Sequence, residues 1–247
     1  MVVPANEGSF SIIYKQIGVP IGAGEFDAYL ARPDAAGPWP VVVVLPSIRG
    51  LGSAEKAIAR HLAKHGRAVL VVDPYRGEAP GPDATLDEAA AAYAEVTDDR
   101  VLADLAEVAE YLAAPSTAWA DDLPPILLGF DTGGRFALLA GLVRREVRAV
   151  VAVSAPLVGT EGRLDVLEHL SSLAIPALGL YGAEDEFVDV ADVDQAQESS
   201  PSSRFVVYEG VGHDFMDPSS DGYHPGAEGD ALARIRGFVE SVAPIPV

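Results

Sequence analysis

The sequence predicts an α/β fold with a mostly parallel central sheet and helices on both of its faces. Three short runs, 40–45, 68–72 and 149–153, are apolar and rich in β-branched residues, which is typical of parallel strands buried on both faces. Segments with helical spacing lie between such runs, and this alternation continues along almost the whole chain. We therefore predict one domain over residues 1–247, without an inserted cap domain.

The first predicted strands form an antiparallel hairpin at an edge of the sheet. Residues 10–17 and 25–31 alternate polar and apolar side chains on either side of Gly22 and Gly24, which is the pattern of a half-buried strand pair. The later strands are short and apolar, as expected in the interior of a parallel sheet. They are predicted at 40–45, 68–72, 124–128, 149–153, 177–181 and 205–209.

Helices are predicted in the intervals between these strands. The segment 54–65 places Ile58 and Leu62 one turn apart, and Gly66 follows as a C-terminal cap. A long helical stretch follows the second buried strand, and the final helix is amphipathic. Further helices are predicted on both sides of a break near 96–98, at 136–142 and at 229–242.

Composition and charge limit the possible functions. The chain carries 17 basic and 37 acidic side chains, a formal net charge of −20, so its surface repels phosphate backbones and anionic membranes. It has no cysteine, which excludes disulfides, thiolate catalysis and cysteine-ligated metals. No signal peptide is visible, and no apolar run reaches the roughly 18 residues of a membrane helix. We expect a cytoplasmic protein that binds neither nucleic acid nor membranes.

The most informative motif is Gly-Phe-Asp-Thr-Gly-Gly at 129–134. It follows an apolar strand and precedes a helix, which is the strand–turn–helix context of a nucleophile elbow. Asp131 stands at the apex, where glycines on both sides permit close approach of strand and helix. The helix N-terminus would stabilise its negative charge. Asp131 is therefore a candidate catalytic residue, although an aspartate that only caps the helix gives the same local sequence.

Two further candidates each follow a later strand. Asp185 lies where the orienting acid of a catalytic triad belongs, with Glu184 as the alternative one residue earlier. His213 lies in the loop after the last strand, where an imidazole can reach both a nucleophile and an acid. The order Asp131, Asp185, His213 is the chain order of nucleophile, acid and histidine in α/β-hydrolases.

The other histidines are less well placed for catalysis. His61 and His65 fall on an early predicted helix, His169 on a later one, and His224 in a polar loop. We interpret all four as solvated surface residues, so His213 is the histidine assigned to the site.

The loop after the first buried strand completes the predicted site. In this fold that loop supplies one backbone N–H of the oxyanion hole, and the residue after the nucleophile supplies the other. Those donors would be Ile48 and Thr132. The neighbouring Ser47 and Arg49, together with Tyr75, are candidates for lining the substrate pocket.

These segments together resemble the dienelactone hydrolase family of the α/β-hydrolase superfamily, over roughly residues 10–243. The resemblance rests on PVVVVLPSIRGL, HGRAVLVVDPYRGEAPG, LLGFDTGGRFAL, GLYGAEDEFV and YEGVGHDFMDP. It implies an α/β-hydrolase fold and a hydrolase whose triad falls on Asp131, Asp185 and His213.

Three positions depart from the family pattern. The family has cysteine, sometimes serine, at the elbow, where this chain has Asp131. The family's glutamate in the loop after the third strand falls on Ser47, and its substrate-binding arginine falls on Asp217. We therefore do not expect this pocket to bind the family's small dicarboxylate-like lactones.

An aspartate at the elbow changes the expected reaction. Its attack on an ester would give a high-energy mixed anhydride, whereas attack on an sp³ carbon gives an ordinary alkyl ester on the enzyme. His213, oriented by Asp185, would then activate water to hydrolyse that ester. The elbow is similar to those of haloalkane dehalogenases and epoxide hydrolases. The predicted substrate is small and neutral: an epoxide, an alkyl halide, or a lactone or ester.

Other interpretations of the same residues stay open. Asp131 and His213 could form a non-covalent acid–base pair in a cyclisation or isomerisation, or the chain could be a catalytically silent binding protein. Tyr75, Tyr93 and Tyr223 are candidate proton donors, although packing or a surface position is the simpler interpretation of each. We expect no metal or cofactor, and a monomer or homodimer.

Overall fold

An eight-stranded sheet forms the centre of the protein in a computed structural model that describes residues 8–22, 24–143, 146–160 and 162–245. Its strands are β1 (Ile12–Ile21), β2 (Gly24–Pro33), β3 (Val41–Leu45), β4 (Ala68–Val72), β5 (Ile126–Phe130), β6 (Ala149–Val153), β7 (Ala177–Gly182) and β8 (Arg204–Tyr208). They lie in the order β1-β2-β4-β3-β5-β6-β7-β8. The pairs from β4 to β8 are parallel, whereas β1 and β2 form an antiparallel hairpin that joins β4. The predicted sheet, with its hairpin at one edge, is confirmed.

Helices cover both faces of the sheet. They are α1 (Ser53–Lys64), α2 (Leu86–Ala94), α3 (Asp98–Leu112), α4 (Thr132–Val143), α5 (Val166–His169), α6 (Val190–Ser199) and α7 (Pro225–Val242). Alternate residues of each central strand point to opposite faces. On one face Val42 packs in a core with Ile58 of α1 and Ile235 of α7. On the other face Val43 packs in a core with Phe136 of α4, together with α3, α5 and α6.

Three helices begin or occur where the sequence pattern did not place them. α4 begins at Thr132 rather than at residue 136, because its first turn is Thr-Gly-Gly and carries no apolar periodicity. α7 begins at Pro225, four residues earlier than predicted; Pro is favourable in the first turn, and the His224 side chain caps it by accepting from Ala227 N. α6 was not predicted. Val193 and Ala196 are its buried residues, and two positions give too short an apolar pattern to indicate a helix.

The connection after β6 bears directly on access to the site. Among its described residues, 154–176 contain only the four-residue α5 and a single 3-10 turn. The carboxyl end of the sheet is therefore not covered by an inserted domain from this connection. No helix in the described parts of the chain is long and apolar enough to cross a bilayer.

The interpretation of the early histidines as solvated residues is wrong. His61 and His65 on α1 are half-buried, and their rings lie 4.8 Å apart. Burial, together with the positive groups of His65 and Arg236, lowers the pKa of His61 to about 4. The helical spacing placed His61 beside the buried Leu62, but it did not reveal that α7 approaches from the other side. His169 and His224 are exposed, as predicted.

Candidate active site

Asp131 lies on a sharp turn between β5 and α4. Its φ of 49° is in the left-handed region, which residues with a Cβ rarely adopt. Its backbone N–H donates to the carbonyl of Val153 on β6 at 2.8 Å, and its own carbonyl accepts from Arg135 N at 3.1 Å. These bonds hold the strained turn from both sides, and the turn presents the carboxylate at the carboxyl end of the sheet.

Two glycines make this turn sterically possible. A Cβ on Gly129 would overlap the backbone of Gly133, where strand and helix cross. A Cβ on Gly133 would overlap the carbonyl oxygens of Leu45 and Pro46 at the end of β3. The glycines predicted from the elbow motif are therefore required by close backbone contacts on both sides of Asp131.

The structure brings Asp131, Asp185 and His213 together. His213 Nδ1 lies 3.0 and 2.9 Å from Asp185 Oδ1 and Oδ2. On the other side of the ring, His213 Nε2 lies 3.7 Å from Asp131 Oδ1, which is too long for a hydrogen bond. The Asp185 carboxylate is fully buried and accepts from the backbone N–H groups of Phe187 (2.9 Å) and Val188 (3.2 Å). Asp185 therefore fixes the imidazole, and the Asp131 oxygen that faces His213 stays free of it.

Further contacts hold His213 in this position. The Ser154 hydroxyl donates to the His213 carbonyl at 2.7 Å, and Ser154 itself has a φ of 48°. The ring of Phe187 meets the imidazole edge-on, with ring centroids 4.9 Å apart. Glu184, the alternative acid, is exposed, whereas the Asp185 carboxylate is buried against the imidazole.

Both predicted oxyanion-hole donors are directed at Asp131 itself. The backbone N–H of Ile48 donates to Asp131 Oδ2 at 2.9 Å, and the backbone N–H of Thr132 favours the charged form of this carboxylate and so lowers its pKa. The Tyr75 hydroxyl donates to the Ile48 carbonyl at 2.8 Å. The hydrogen bond from Tyr75 thus fixes the loop that carries Ile48. The N–H of Ile48 in turn fixes one oxygen of the Asp131 carboxylate.

Burial and neighbouring charges act on the site in opposite directions. Burial raises the pKa of Asp131 above its ordinary value, although His213 and the Ile48 and Thr132 N–H groups partly oppose this. Burial alone would lower the pKa of His213, but the hydrogen bond to Asp185 and the charge of Asp131 raise it above its ordinary value. The imidazole and the Asp131 carboxylate therefore titrate as a coupled pair.

Two adjoining cavities border the site and share part of their lining. Asp131 and His213 line a cavity of about 40 Å³, which adjoins a cleft of about 370 Å³. Ser47 and Arg49, the residues predicted to line the substrate pocket, both lie in the wall of this cleft. The assignment of Tyr75 to the pocket wall is wrong, because its side chain lies beneath the Ile48 loop and is 4% exposed. Four residues line both cavities: Ser47, Glu55, Asp214 and Asp217.

Glu55 is a residue of this site that no sequence motif singled out. It is 4% exposed and borders both cavities. Its Oε2 accepts from Gly52 N at 2.8 Å, and its Oε1 lies 3.4 Å from Ser47 N. One signal was present in the sequence: Glu55 stands one turn before Ile58 and two before Leu62, so it falls on the buried stripe of α1.

The tyrosines considered as proton donors have other contacts. The Tyr223 hydroxyl donates to Glu228 at 2.5 Å. The Tyr93 ring packs against the guanidinium of Arg163, whose Cζ lies 4.0 Å from the ring centroid. In the described parts of the chain, no tyrosine lines either cavity. Nor do the described residues contain a group of three or more histidine and carboxylate side chains that could hold a metal.

Comparison with known proteins gives a consistent result. The profile of the "Dienelactone hydrolase family" matches residues 26–243. A protein of Methylorubrum extorquens, to which carboxymethylenebutenolidase activity is attributed, is 30% identical over 232 residues, covering 86% of this chain and 78% of the relative. A Bradyrhizobium protein, to which 2-oxo-3-(5-oxofuran-2-ylidene)propanoate lactonase activity is attributed, is 33% identical over 208 residues, covering 80% and 82%.

The fold is shared with solved structures over nearly the whole chain. A crystal structure from Klebsiella pneumoniae, assigned as a dienelactone hydrolase, matches with a TM-score of 0.85 at 27% identity, covering 92% of this chain and 98% of the other. A dienelactone hydrolase structure from Anabaena variabilis matches with a TM-score of 0.70 at 20% identity, covering 94% and 99%. The predicted α/β-hydrolase fold is confirmed.

Proposed function

The chain belongs to the dienelactone hydrolase family and is a hydrolase, and we propose that Asp131 is its covalent nucleophile. The proposed substrate is a small neutral molecule with a reactive sp³ carbon, such as an epoxide or an alkyl halide. The observation that carries the proposal is how the carboxylate is held. Ile48 N–H binds Oδ2 at 2.9 Å, while Oδ1 lies 3.7 Å from His213 Nε2.

In the first step Asp131 Oδ1 attacks the substrate carbon, and the leaving group departs with its bonding electron pair. The product is an alkyl ester of Asp131, which is not a high-energy species. The contact of Oδ2 with Ile48 orients the carboxylate of Asp131, which lines the small cavity, and leaves Oδ1 on the side of His213. This division of roles suits a nucleophilic carboxylate.

In the second step water hydrolyses the ester. His213 Nε2 takes a proton from a water molecule, and the hydroxide adds to Cγ of Asp131. The negative charge develops on Oδ2, which already accepts from the Ile48 N–H group. The Cγ–Oδ1 bond then breaks, the departing alkoxide takes the proton from His213, and Asp131 keeps the oxygen that came from water.

Lactone or ester hydrolysis is the second candidate, and the activities attributed to the two relatives favour it. There Asp131 would serve as a general base for water, together with His213. Two features argue against lactone or ester hydrolysis. The substrate carbonyl would compete with Asp131 Oδ2 for the Ile48 N–H, and Asp214 and Asp217 in the pocket lining repel the anionic lactone named for the Bradyrhizobium relative.

Trapping of the ester tests the proposal. Intact-protein mass is measured for the wild type and His213→Ala with a panel of epoxides, alkyl halides, lactones and aryl esters. Without His213 the reaction stops after attack, so we expect a stable adduct that peptide mapping places on Asp131. Turnover of an epoxide or halide by the wild type, with no adduct in the variant, would overturn the covalent mechanism and favour Asp131 as a general base.

A single turnover in heavy-oxygen water provides an independent control. The covalent route transfers an oxygen of Asp131 to the first product and leaves the heavy isotope in the Asp131 carboxylate. A general-base route instead delivers solvent oxygen directly to the product. Mass analysis of the peptide containing Asp131 and of the first product therefore separates the two routes without any substitution.

A further inference from the structure

Opening an epoxide requires a proton donor in the first step, in addition to the carboxylate that attacks. Attack by Asp131 pushes an electron pair onto the ring oxygen, and an alkoxide is a poor leaving group unless it is protonated as it forms. His213 acts as a base in the proposed second step, and Asp185 is buried behind it. The tyrosine hydroxyls with described partners near the site are engaged elsewhere: Tyr75 with Ile48 and Tyr223 with Glu228.

Glu55 lies where such a proton donor is required. It borders the small cavity together with Asp131 and His213, and it also borders the larger cleft through which a substrate would enter. Its carboxyl group comes from α1, whereas Asp131 comes from the elbow between β5 and α4. A substrate that reaches this cavity is therefore within reach of both side chains that line it, Asp131 and Glu55.

The two oxygens of Glu55 have different surroundings. Oε2 accepts from Gly52 N at 2.8 Å, a normal hydrogen bond that caps the start of α1. Oε1 lies 3.4 Å from Ser47 N, at the long limit for such a bond. A protonated Glu55 can keep the Gly52 contact on Oε2 and carry its proton on Oε1.

Capping of α1 does not explain why this side chain is buried. Glu88 makes the same cap at the start of α2, accepting from Thr85 N at 2.8 Å, and it does so in solvent. The cap contact lowers the pKa of Glu88. Burial raises the pKa of Glu55, against the same kind of contact, and the negative charge of Asp217 acts in the same direction as burial. The surroundings of Glu55 thus raise its pKa, whereas those of Glu88 lower it.

We propose that Glu55 is a second catalytic carboxyl group of this site, which protonates the leaving oxygen of the substrate. The inference rests on the proposed function, because it concerns the alkylation of Asp131. As Oδ1 forms its bond to carbon, the ring C–O bond breaks and the oxygen takes the proton from Glu55 Oε1. Hydrolysis later leaves Asp131 protonated, and that proton returns to Glu55, so water has been added to the epoxide with no net change in the enzyme.

The test compares two leaving groups in the His213→Ala background, where alkylation of Asp131 is the final event. Styrene oxide needs a proton to leave, whereas the bromide of phenethyl bromide leaves as a stable anion. We expect Glu55→Gln to slow adduct formation by styrene oxide by about 100-fold or more. The rate of alkylation by phenethyl bromide should change by less than about threefold, because the glutamine side chain keeps an oxygen that accepts from the Gly52 N–H.

The matched control is Glu88→Gln, which alters the same type of cap outside the site and should change neither rate. Equal losses with both reagents in Glu55→Gln, or no loss with either, would overturn the role of Glu55. Absence of any adduct in His213→Ala itself would overturn the proposed function, which makes the two failures distinguishable.

A second measurement needs no change at Glu55. In His213→Ala the epoxide reaction should slow as pH rises through the raised pKa of Glu55, above 4.5, while the bromide reaction should not slow. A bromide rate and an epoxide rate that both increase throughout this range would contradict proton donation. The other titratable side chains around the two cavities are Arg49, Asp131, Asp214 and Asp217.

Discussion

The backbone N–H of Ile48 lies 2.9 Å from Asp131 Oδ2, so one donor of the oxyanion hole is directed at the elbow carboxylate. In a serine or cysteine hydrolase these donors bind an oxygen of the substrate as it gains charge. Here they meet an oxygen of the protein, which is negative before attack and again in the tetrahedral intermediate of ester hydrolysis. The hole therefore orients the nucleophile as well as stabilising the second step.

Replacing the elbow carboxylate should abolish catalysis but stabilise the fold. Asp131→Asn keeps an oxygen to accept from Ile48 N–H, while it removes the nucleophile and the buried charge. We expect that no adduct forms and that the turnover rate falls by at least about 10³-fold. The mass-trapping assay and steady-state rates measure both, and near-normal turnover would contradict a chemical role for Asp131.

The stability change should depend on pH. Burial raises the folded-state pKa of Asp131 above its unfolded value of 3.8, so the folded state binds this proton more tightly. The stability linked to this group is present below that unfolded value and is lost as pH rises through the folded pKa. Asp131→Asn should therefore raise Tm near neutral and alkaline pH, and the gain should shrink as pH falls toward 4, as thermal scans at several pH values can show.

The orienting acid can be distinguished from its neighbour by paired substitutions. Asp185→Asn leaves the imidazole without the anion that fixes its orientation and tautomer, and we expect a loss of about 10²–10⁴-fold in the hydrolysis step. Glu184→Gln is the matched control, because Glu184 is exposed, and it should leave the rate within about twofold. Decay of the Asp131 adduct in a single turnover measures the effect, and equal losses in the two variants would contradict the assignment.

The protonation of His213 should respond to the charge of Asp131. Burial alone would lower the pKa of His213. The hydrogen bond to Asp185 and the charges of Asp131, Asp185 and Asp214 nevertheless raise this pKa above 6.5. Asp131→Asn should lower this pKa, because one of those negative charges is lost. The same loss occurs when Asp131 becomes an ester, so His213 becomes more readily neutral when it must act as a base. NMR titration of the imidazole, assigned with His213→Ala, tests this; an unchanged pKa would contradict it.

The elbow glycines should be far less tolerant than a helix glycine. Gly133→Ala places a Cβ against the carbonyl oxygens of Leu45 and Pro46, and we expect a loss of about 3 kcal/mol or more in the free energy of unfolding. Gly237→Ala is the control, since a Cβ there meets nothing within 4 Å on an exposed face of α7. Gly237→Ala should raise the free energy of unfolding by about 0.5–1 kcal/mol. Urea denaturation compares the two, and a neutral Gly133→Ala would contradict the steric account.

Residues that follow a strand directly were the easiest to place from the sequence. Asp131, Asp185 and His213 come after β5, β7 and β8, and the carboxyl ends of parallel strands meet at one edge of the sheet. Their proximity therefore follows from strand order alone. Glu55 was missed, because its role depends on which wall of the cavity α1 forms. Tyr75 was misplaced for a similar reason, since a residue near a loop can lie behind it rather than in the pocket.

The sequence by itself determined the strand alternation, the parallel sheet, the elbow and the chain order of its three candidate residues, because hydrophobic periodicity and turn chemistry are local properties. Only the tertiary structure decided which oxygen of Asp131 meets Ile48, that the other lies 3.7 Å from His213, and that Glu55 borders the same cavity. Those relationships join residues far apart in the chain. They depend on how β3, α1 and the elbow pack against one another, and no local pattern records the distance between side chains brought together by packing.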